Sequence, residues 1–313
     1  MLEIKNLTKS YSDTAVLRGV ELCFDKKGIY GILAARGSGK TTLARLICGC
    51  ENVDGGQIAL DGEVMSRGAI ALKKKVRLVP TTLELDGLTT PIEYLDFVGA
   101  AMGVESEKRY RQIKEAIELC DIEDCQTRPF FKLTRPQRAR LSLAAALIGN
   151  PDVIVLDAPF GANIADVGEL LLFLAGIKTV ILISSRAADV SQYSDRIAIL
   201  HGGTIAVSGT LGEIESALNA ESWLHLSVRG DKEEIEALLA SVEGVTSVTF
   251  EKRGSNNTYS YTVAHTCYAT IKGKVVSALS GAGYSVISTR EEKLTLEDAF
   301  AMLSSDKAGG ERR

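Results

Sequence analysis

Histidine and tryptophan are scarce in this chain of 313 residues, with three of the first and one of the second. The six cysteines, at 23, 48, 50, 120, 125 and 267, contain no CxxC pair. With so few histidines beside them, that spacing argues against a zinc cluster. Unpaired, irregularly spaced cysteines instead fit a reducing cytoplasm. An excess of basic charge is also missing. Lys and Arg number 36 against 40 Asp and Glu, and the net charge is −4, so the composition does not point to a nucleic-acid partner. The one dense basic run, Lys73, Lys74, Lys75 and Arg77, is expected to be a solvated strand end. The opening residues MLEIKNLTKSY lack the apolar core of a signal peptide. The most membrane-like stretch, Leu170 to Ile183, is interrupted by Gly176 and Lys178. Each apolar half falls well short of the ~20 residues needed to span a bilayer. It reads as a helix end followed by a buried strand, and composition excludes an integral membrane protein.

What remains is ordinary globular material. Hydrophobic residues make up 45% and charged residues 24%, and the length suits about two domains. The first 30 residues read as short strands. Ile29 to Leu33 is a compact apolar run of the kind a buried strand needs. Ala34-Ala35-Arg36-Gly37-Ser38-Gly39-Lys40-Thr41-Thr42 follows, and then an apolar helix begins. Strand, glycine-bearing loop, Gly-Lys-Thr and helix is the context a phosphate-binding loop requires. Successive backbone N–H groups at a helix start form an anion cradle. Lys40 would reach the β- and γ-phosphates and the Thr41 hydroxyl would ligate Mg²⁺. The pattern departs at Ala34, where its first Gly belongs. If that position needs positive φ, alanine costs about 1–2 kcal/mol; otherwise the loop is intact.

Further along, Asp54-Gly55-Gly56 and Asp61-Gly62 punctuate a hairpin-like stretch, and residues 92–120 carry long helical patterns. A helix follows Thr134, which can cap it, with Pro136 in the first turn where a missing N–H is tolerated. Val153 to Asp157 is an apolar strand ending in a carboxylate. Asp157 would hold Mg²⁺ through water, or else cap the turn that follows. Thr179–Ser184 and Arg196–Leu200 are two more short strands. From about residue 222 the order becomes β-α-β-β-α-β, a ferredoxin-like pattern. The expected division is a nucleotide-binding domain over 1–215, an α+β accessory domain over 222–305 and a flexible tail over 306–313. Trp223, His225 and His265 fall in the second domain and read as packing residues rather than ligands.

Together these residues resemble the ATP-binding subunit of an ABC transporter, and the C-terminal module with its tail LTLEDAFAML resembles that of the ABC-2 exporter type. The resemblance implies an α/β P-loop NTPase core with antiparallel β and helical subdomains. It implies ATP and Mg²⁺ as ligands and a dimer, with itself or with another ABC ATPase subunit. It further implies a separate membrane permease as partner, no nucleic acid, and a cytoplasmic location on the inner face of the membrane. Tyr11 matches the aromatic that stacks on adenine. Thr81 falls at the Q-loop and Asp157 at the Walker B aspartate. Thr134, Arg135, Pro136 and Gln137 fall at the signature, and Arg186 falls at the switch histidine.

The departures cluster around the γ-phosphate. Ala158 stands where the family places the glutamate that polarises the attacking water, a contribution of about 10²–10⁴-fold in rate. Thr81 replaces a glutamine, and Arg186 replaces a histidine. Arg135 and Pro136 replace two glycines, which hinders close backbone approach and removes one N–H. Arg135 supplies either a new cation toward a partner's phosphate or an exposed charge at a helix start. Phe160-Gly161-Ala162-Asn163-Ile164 replaces the D-loop pattern. Binding residues are kept while cleavage residues are lost, which implies a pseudo-ATPase. The alternatives are an ATP-binding scaffold without transport and a different P-loop enzyme such as a kinase. The antiparallel segment carrying Tyr11 and the helices before Leu133 speak against the kinase.

Overall fold

The computed structural model describes residues 1–157, 164–218, 222–265, 271–292 and 295–305. The chain divides into two compact units, one built on Met1–Leu211 and the other on Gly212–Met302. The division falls a few residues before the expected 215–222, because the change of pattern at Trp223 marks a strand and not the helix preceding it. The tail over 306–313 lies outside the described residues.

The first unit opens with β1 (Leu2–Tyr11) and β2 (Thr14–Phe24), and then β3 (Gly28–Ala34) leads into α1 (Lys40–Ile47). Next come β4 (Gly55–Leu60), β5 (Glu63–Val64), α2 (Ile70–Lys75) and β6 (Val76–Val79). Three helices follow: α3 (Pro91–Ala101), α4 (Ser106–Leu119) and α5 (Arg135–Leu147). The core is then completed by β7 (Val153–Asp157), α6 (Gly168–Ala175), β8 (Thr179–Ser184), α7 (Ala187–Tyr193), β9 (Arg196–His201) and β10 (Thr204–Gly209). The basic run therefore occupies the last turn of α2 and the start of β6, not a strand end as the sequence pattern suggested. Leu170–Ile183 is the end of α6 followed by β8.

Six strands form one sheet in the order β10-β9-β3-β8-β7-β6, parallel throughout except for the β9–β10 hairpin. Every residue of β3 is buried, as a parallel strand covered on both faces must be. β1, β2, β4 and β5 form a separate antiparallel sheet in the order β2-β1-β4-β5. Its inward residues Leu2, Ile4, Leu7 and Val20 share a core with Leu43 and Ile47 of α1. The helices α3, α4 and α5 have a core of their own around Leu95, Ile117 and Leu141.

The second unit contains α8 (Leu211–Leu218), β11 (Ser222–Arg229), α9 (Lys232–Ser241), β12 (Val245–Arg253), β13 (Thr258–His265), α10 (Ile271–Gly281) and β14 (Ser285–Glu292). A last helix, α11, spans Leu296–Ser305. The four strands pair antiparallel in the order β12-β13-β11-β14, the split arrangement of the βαββαβ pattern. Leu224, Leu226 and Val228 of β11 pack with Ile235 and Leu239 of α9 and Val275 of α10. Trp223 is half-buried and, by strand alternation, lies on the opposite face. His225 contacts Glu251 at 3.1 Å and the Thr262 hydroxyl at 2.8 Å, while His265 is buried with neither ring nitrogen hydrogen-bonded among the described residues. No group of three or more potential metal ligands occurs among the described residues, and no described helix is long and apolar enough to cross a membrane.

Candidate functional site

Strand register assembles the site. β3 lies between β8 and β9, with Leu33 opposite Ser184, and on the next strand Asp157 stands opposite Ile183. The C-terminal ends of β3, β7 and β8 therefore meet at one edge of the sheet, where parallel α/β sheets hold their ligands. This brings the phosphate loop, Asp157 and the segment Ser184–Arg186 together although they are far apart in sequence.

The loop between β3 and α1 uses positive φ at Gly37 (73°) and Gly39 (93°) and not at Ala34. Ala34 closes β3, fully buried. The family's missing first glycine therefore brings no backbone strain here. Gly39, the N-cap of α1, is constrained twice. Left-handed backbone disfavours any side chain, and a Cβ would come within 2.7 Å of Val16 Cγ1. At Gly37 nothing lies within 4 Å of the added carbon, so that position is open on the outer side of the loop.

The Ala35 carbonyl gathers the loop's donors. It accepts from Ser38 Oγ at 2.6 Å and from Lys40 Nζ at 2.6 Å. Burial pushes the Lys40 ammonium below the ordinary lysine pKa, with the Asp157 carboxylate opposing and Arg36 adding to the effect. Thr41 and Arg36 are exposed, and Thr42 is half-buried. Asp157 is 4% exposed, and its Oδ1 has no hydrogen-bond partner among the described residues. A buried, unpaired carboxylate oxygen is costly and is what a cation ligand would offer. The donor set of Thr41 and Asp157 oxygens suits Mg²⁺, and the loop's N–H groups and Lys40 suit phosphate.

The remaining predicted positions behave differently. Tyr11, at the end of β1, is 44% exposed. Its hydroxyl donates to Glu51, which also pairs with Arg45 of α1 at 3.3 Å. Lys9 Nζ sits 5.5 Å from the ring centroid. Glu51 carries no motif, so its part in positioning Tyr11 was invisible in the sequence. Thr81 donates its hydroxyl to the Asp157 main-chain carbonyl at 2.8 Å, fastening the segment after β6 to the end of β7. Arg186 is exposed, with its Nε 3.6 Å from Asp189 Oδ1. Its N–H donates to Ser184 Oγ, which in turn donates to Asp189 Oδ2 at 2.9 Å. Asp189, likewise without a motif, holds this corner.

Thr134 caps α5 as expected, in a reciprocal box with Gln137. Gln137 N–H donates to Thr134 Oγ1 at 3.4 Å, and Thr134 N–H donates to Gln137 Oε1 at 3.0 Å. Arg135 and Pro136 are exposed in that first turn. These four residues open α5, whose Leu141 and Ala144 pack in the core of α3–α5, while Leu43 and Ile47 of α1 pack in another core. Ala158 and residues 160–163 of the D-loop position lie outside the described residues.

Residues 17–161 match the family model described as ABC transporter. Within that segment the chain carries an ABC transporter domain. The ABC domain is 33% identical over 218 residues to the Fe(3+) ions import ATP-binding protein FbpC of Mesorhizobium japonicum, a match covering 67% of this chain. That match spans only 60% of the relative's own length. The linearmycin resistance ATP-binding protein LnrL of Bacillus subtilis is 26% identical, with 80% of this chain and 82% of the relative covered. A solved structure described as an ATP binding subunit of an ABC transporter superposes with a TM-score of 0.62 at 22% identity, covering 70% of this chain and 93% of the other. That likeness gives the ABC domain the fold of an ABC ATPase cassette.

Proposed function

We propose that this chain binds ATP with Mg²⁺ as the nucleotide-binding subunit of an ABC-2-like transporter and hydrolyses it slowly or not at all. In this reading, ATP binding closes a dimer of two such subunits, and closure acts on a separate membrane permease. The chain would then sit on the inner face of the membrane, with residues 222–305 as an accessory domain. The observation that carries the reading is the contrast within one site. The cradle for phosphate and cation is complete, while the positions that would activate water are changed or engaged elsewhere.

The binding side rests on named groups. The loop over Arg36 to Gly39 would supply backbone N–H groups to phosphate, with Gly37 and Gly39 in the left-handed region such a loop needs and the Ser38 N–H leaving the Ala35 carbonyl to which it now donates at 3.3 Å. Lys40 exchanges its contact with the Ala35 carbonyl for phosphate oxygens, which match its charge. Thr41 and Asp157 would hold Mg²⁺, which when bound neutralises phosphate charge. Tyr11, set by Glu51, offers an exposed ring face for a base. Thr42 extends the polar start of α1.

The catalytic side is depleted. Ala158 has no carboxylate to accept a proton from water. The Thr81 hydroxyl is committed to a main-chain carbonyl. Arg186 is paired to Asp189 and, as a guanidinium, cannot exchange a proton near neutral pH. Across a dimer, Thr134, Arg135, Pro136 and Gln137 would face the partner's nucleotide with a hydroxyl and a cation in place of glycine N–H groups.

The test pairs affinity with turnover on the full chain and on Ala158→Glu. The expected result is saturable Mg²⁺-dependent ATP binding with turnover far below the ordinary range of about 1–10³ per second. Ala158→Glu raises turnover by part of the ~10²–10⁴-fold a general base contributes, since Thr81 and Arg186 remain. Ordinary turnover in the unaltered chain sinks the pseudo-ATPase reading, and absence of ATP binding sinks the nucleotide reading altogether.

A further inference from the structure

Burial accounts for only part of the helical half of the apolar stretch 170–183. α6 reads GELLLFLA, with Glu169 as its only charge. Gly168, Leu171 and Leu174 are buried and form its inward side. Leu172 and Phe173 fall on the other side and are 54% and 58% exposed. Ile177, just past the helix, is exposed as well. A helix at a surface turns polar residues outward, and one that is apolar all round is normally buried. Single apolar residues scattered over a surface are ordinary, but these share a concavity. Leu172 and Phe173 line a cavity of about 630 Å³, together with Leu119 at the end of α4, which is exposed too. Contiguous exposed apolar surface beside a groove marks an interaction site.

The groove has a sign. Its lining holds three carboxylates, Asp121, Asp166 and Glu169, and one cation, Arg140. Arg140 pairs with Asp121 and reaches the Cys120 and Asp121 carbonyls at 3.4 and 3.3 Å. It is thus taken up by the C-terminus of α4, where a cation is favourable. Asp166 and Glu169 are left with no cation in the wall. Their place at the start of α6 suits the helix dipole, but that does not explain the apolar residues beside them. Apolar anchors with a negative rim fit an amphipathic helix whose polar face is basic, laid into the groove by its apolar face. A twofold contact of this face with a second copy would set carboxylate against carboxylate. An anionic bilayer would repel the same groups.

We propose that this groove seats a basic amphipathic helix of a partner protein, whose apolar face rests on Leu119, Leu172 and Phe173 and whose Lys or Arg side chains pair with Asp166 and Glu169. The surface goes beyond the transporter reading and does not depend on ATP binding.

The probe is a fluorescein-labelled helical peptide of Leu, Ala and Lys with its leucines on one face, titrated with the full chain and followed by anisotropy. The expected result is saturable one-to-one binding. A peptide of the same composition, shuffled so that no face is apolar, and a version with Glu for every Lys show no saturable binding. The double variant Leu172→Gln, Phe173→Gln weakens binding about thirtyfold, as loss of central anchors does. Both side chains are exposed, so its urea unfolding should match that of the unaltered chain. The double variant Asp166→Lys, Glu169→Lys weakens binding about tenfold at low ionic strength and flattens its salt dependence. Tyr110→Gln, at an exposed residue of α4 that lines a different cavity, leaves the affinity unchanged. No saturable binding of the Leu-Ala-Lys peptide, equal binding of the shuffled peptide, or an affinity indifferent to Leu172 and Phe173 overturns the proposal. Binding to phosphatidylcholine vesicles that the Leu172→Gln, Phe173→Gln variant abolishes also overturns it and makes the face a lipid contact. A dimer in sedimentation that the same variant dissolves overturns it in favour of a second copy of this chain.

Discussion

Gly37 and Gly39 share a left-handed backbone but not an environment, so alanine at each should have separable costs. At Gly37 the added carbon meets nothing within 4 Å. The cost is the conformational one alone, about 1–2 kcal/mol. At Gly39 the same strain is joined by a contact of 2.7 Å with Val16 Cγ1 and one of 3.1 Å with Leu17 Cδ2. Leu17 is 1% exposed and cannot move aside freely. Overpacking of this kind adds about 1–3 kcal/mol, which brings Gly39→Ala to about 2–5 kcal/mol. If the loop relaxes to escape the strain, folding cost falls but the cradle is lost, and each 1.4 kcal/mol moved to the binding step weakens ATP about tenfold. The quantity to compare is therefore the stability loss plus the affinity loss. Urea unfolding should be followed by far-UV circular dichroism, because the sole tryptophan, Trp223, lies in the other unit. A double variant isolates the clash. Val16→Ala in the Gly39→Ala background should recover the overpacking part and leave the strain. If Gly39→Ala costs no more than Gly37→Ala, or Val16→Ala recovers nothing, the assignment of Gly39 as the packed pivot of the cradle is wrong.

Two further outcomes follow from caps and burial. Thr134→Ala removes the capping box of α5 and should lower stability by about 0.5–2 kcal/mol, whereas Thr134→Ser should stay near the unaltered chain in the same melts; equal loss from both would contradict the cap. His265 is buried without hydrogen-bonded ring nitrogens among the described residues, and burial lowers its pKa from the ordinary 6.5, with Glu291 opposing. The folded state thus binds its proton less readily than the unfolded state, so stability rises with pH across the window from the depressed value up to about 6.5. Trp223 pairs with Ala264, next to His265, so its fluorescence should show the second unit weakening on acidification. His265→Leu should remove that part of the dependence, and an unchanged pH profile in the variant would refute it.

Much of the proposed site was legible because the residues of a phosphate-binding loop are local in sequence. The run from Ala35 to Thr42 works as a unit of loop and helix start, and Thr134 with Gln137 forms its box within one turn. Both depend on neighbours a few residues apart, so spacing alone reports them. The positioning residues were not legible. Glu51 reaches Tyr11, Asp189 holds Arg186, and Thr81 reaches the Asp157 carbonyl. The Glu51 and Thr81 links are long-range side-chain bonds that no local pattern encodes. The conformation at Ala34 was conditional in the sequence, and it is decided by β3, whose last residue it is.

The same division explains the basic run. By sequence alone, Lys73, Lys74, Lys75 and Arg77 are four adjacent charges, and adjacency implies a solvated surface. A short helix turning into a strand separates them. Lys75 goes to Asp152, and the other three join Arg67 around a concavity. The order of residues determined the glycine-bearing loop ahead of α1, the strand ending in Asp157 and the βαββαβ module, because each is a property of residue type at short spacing. The register of β3, β7 and β8 decided that Asp157 and Ser184 end their strands at the sheet edge where the β3–α1 loop begins. The packing of α2 against β6 decided which cations share a wall. Both are long-range matters, since a charge acquires its partner, or lacks one, only when distant segments have been brought within a few ångströms.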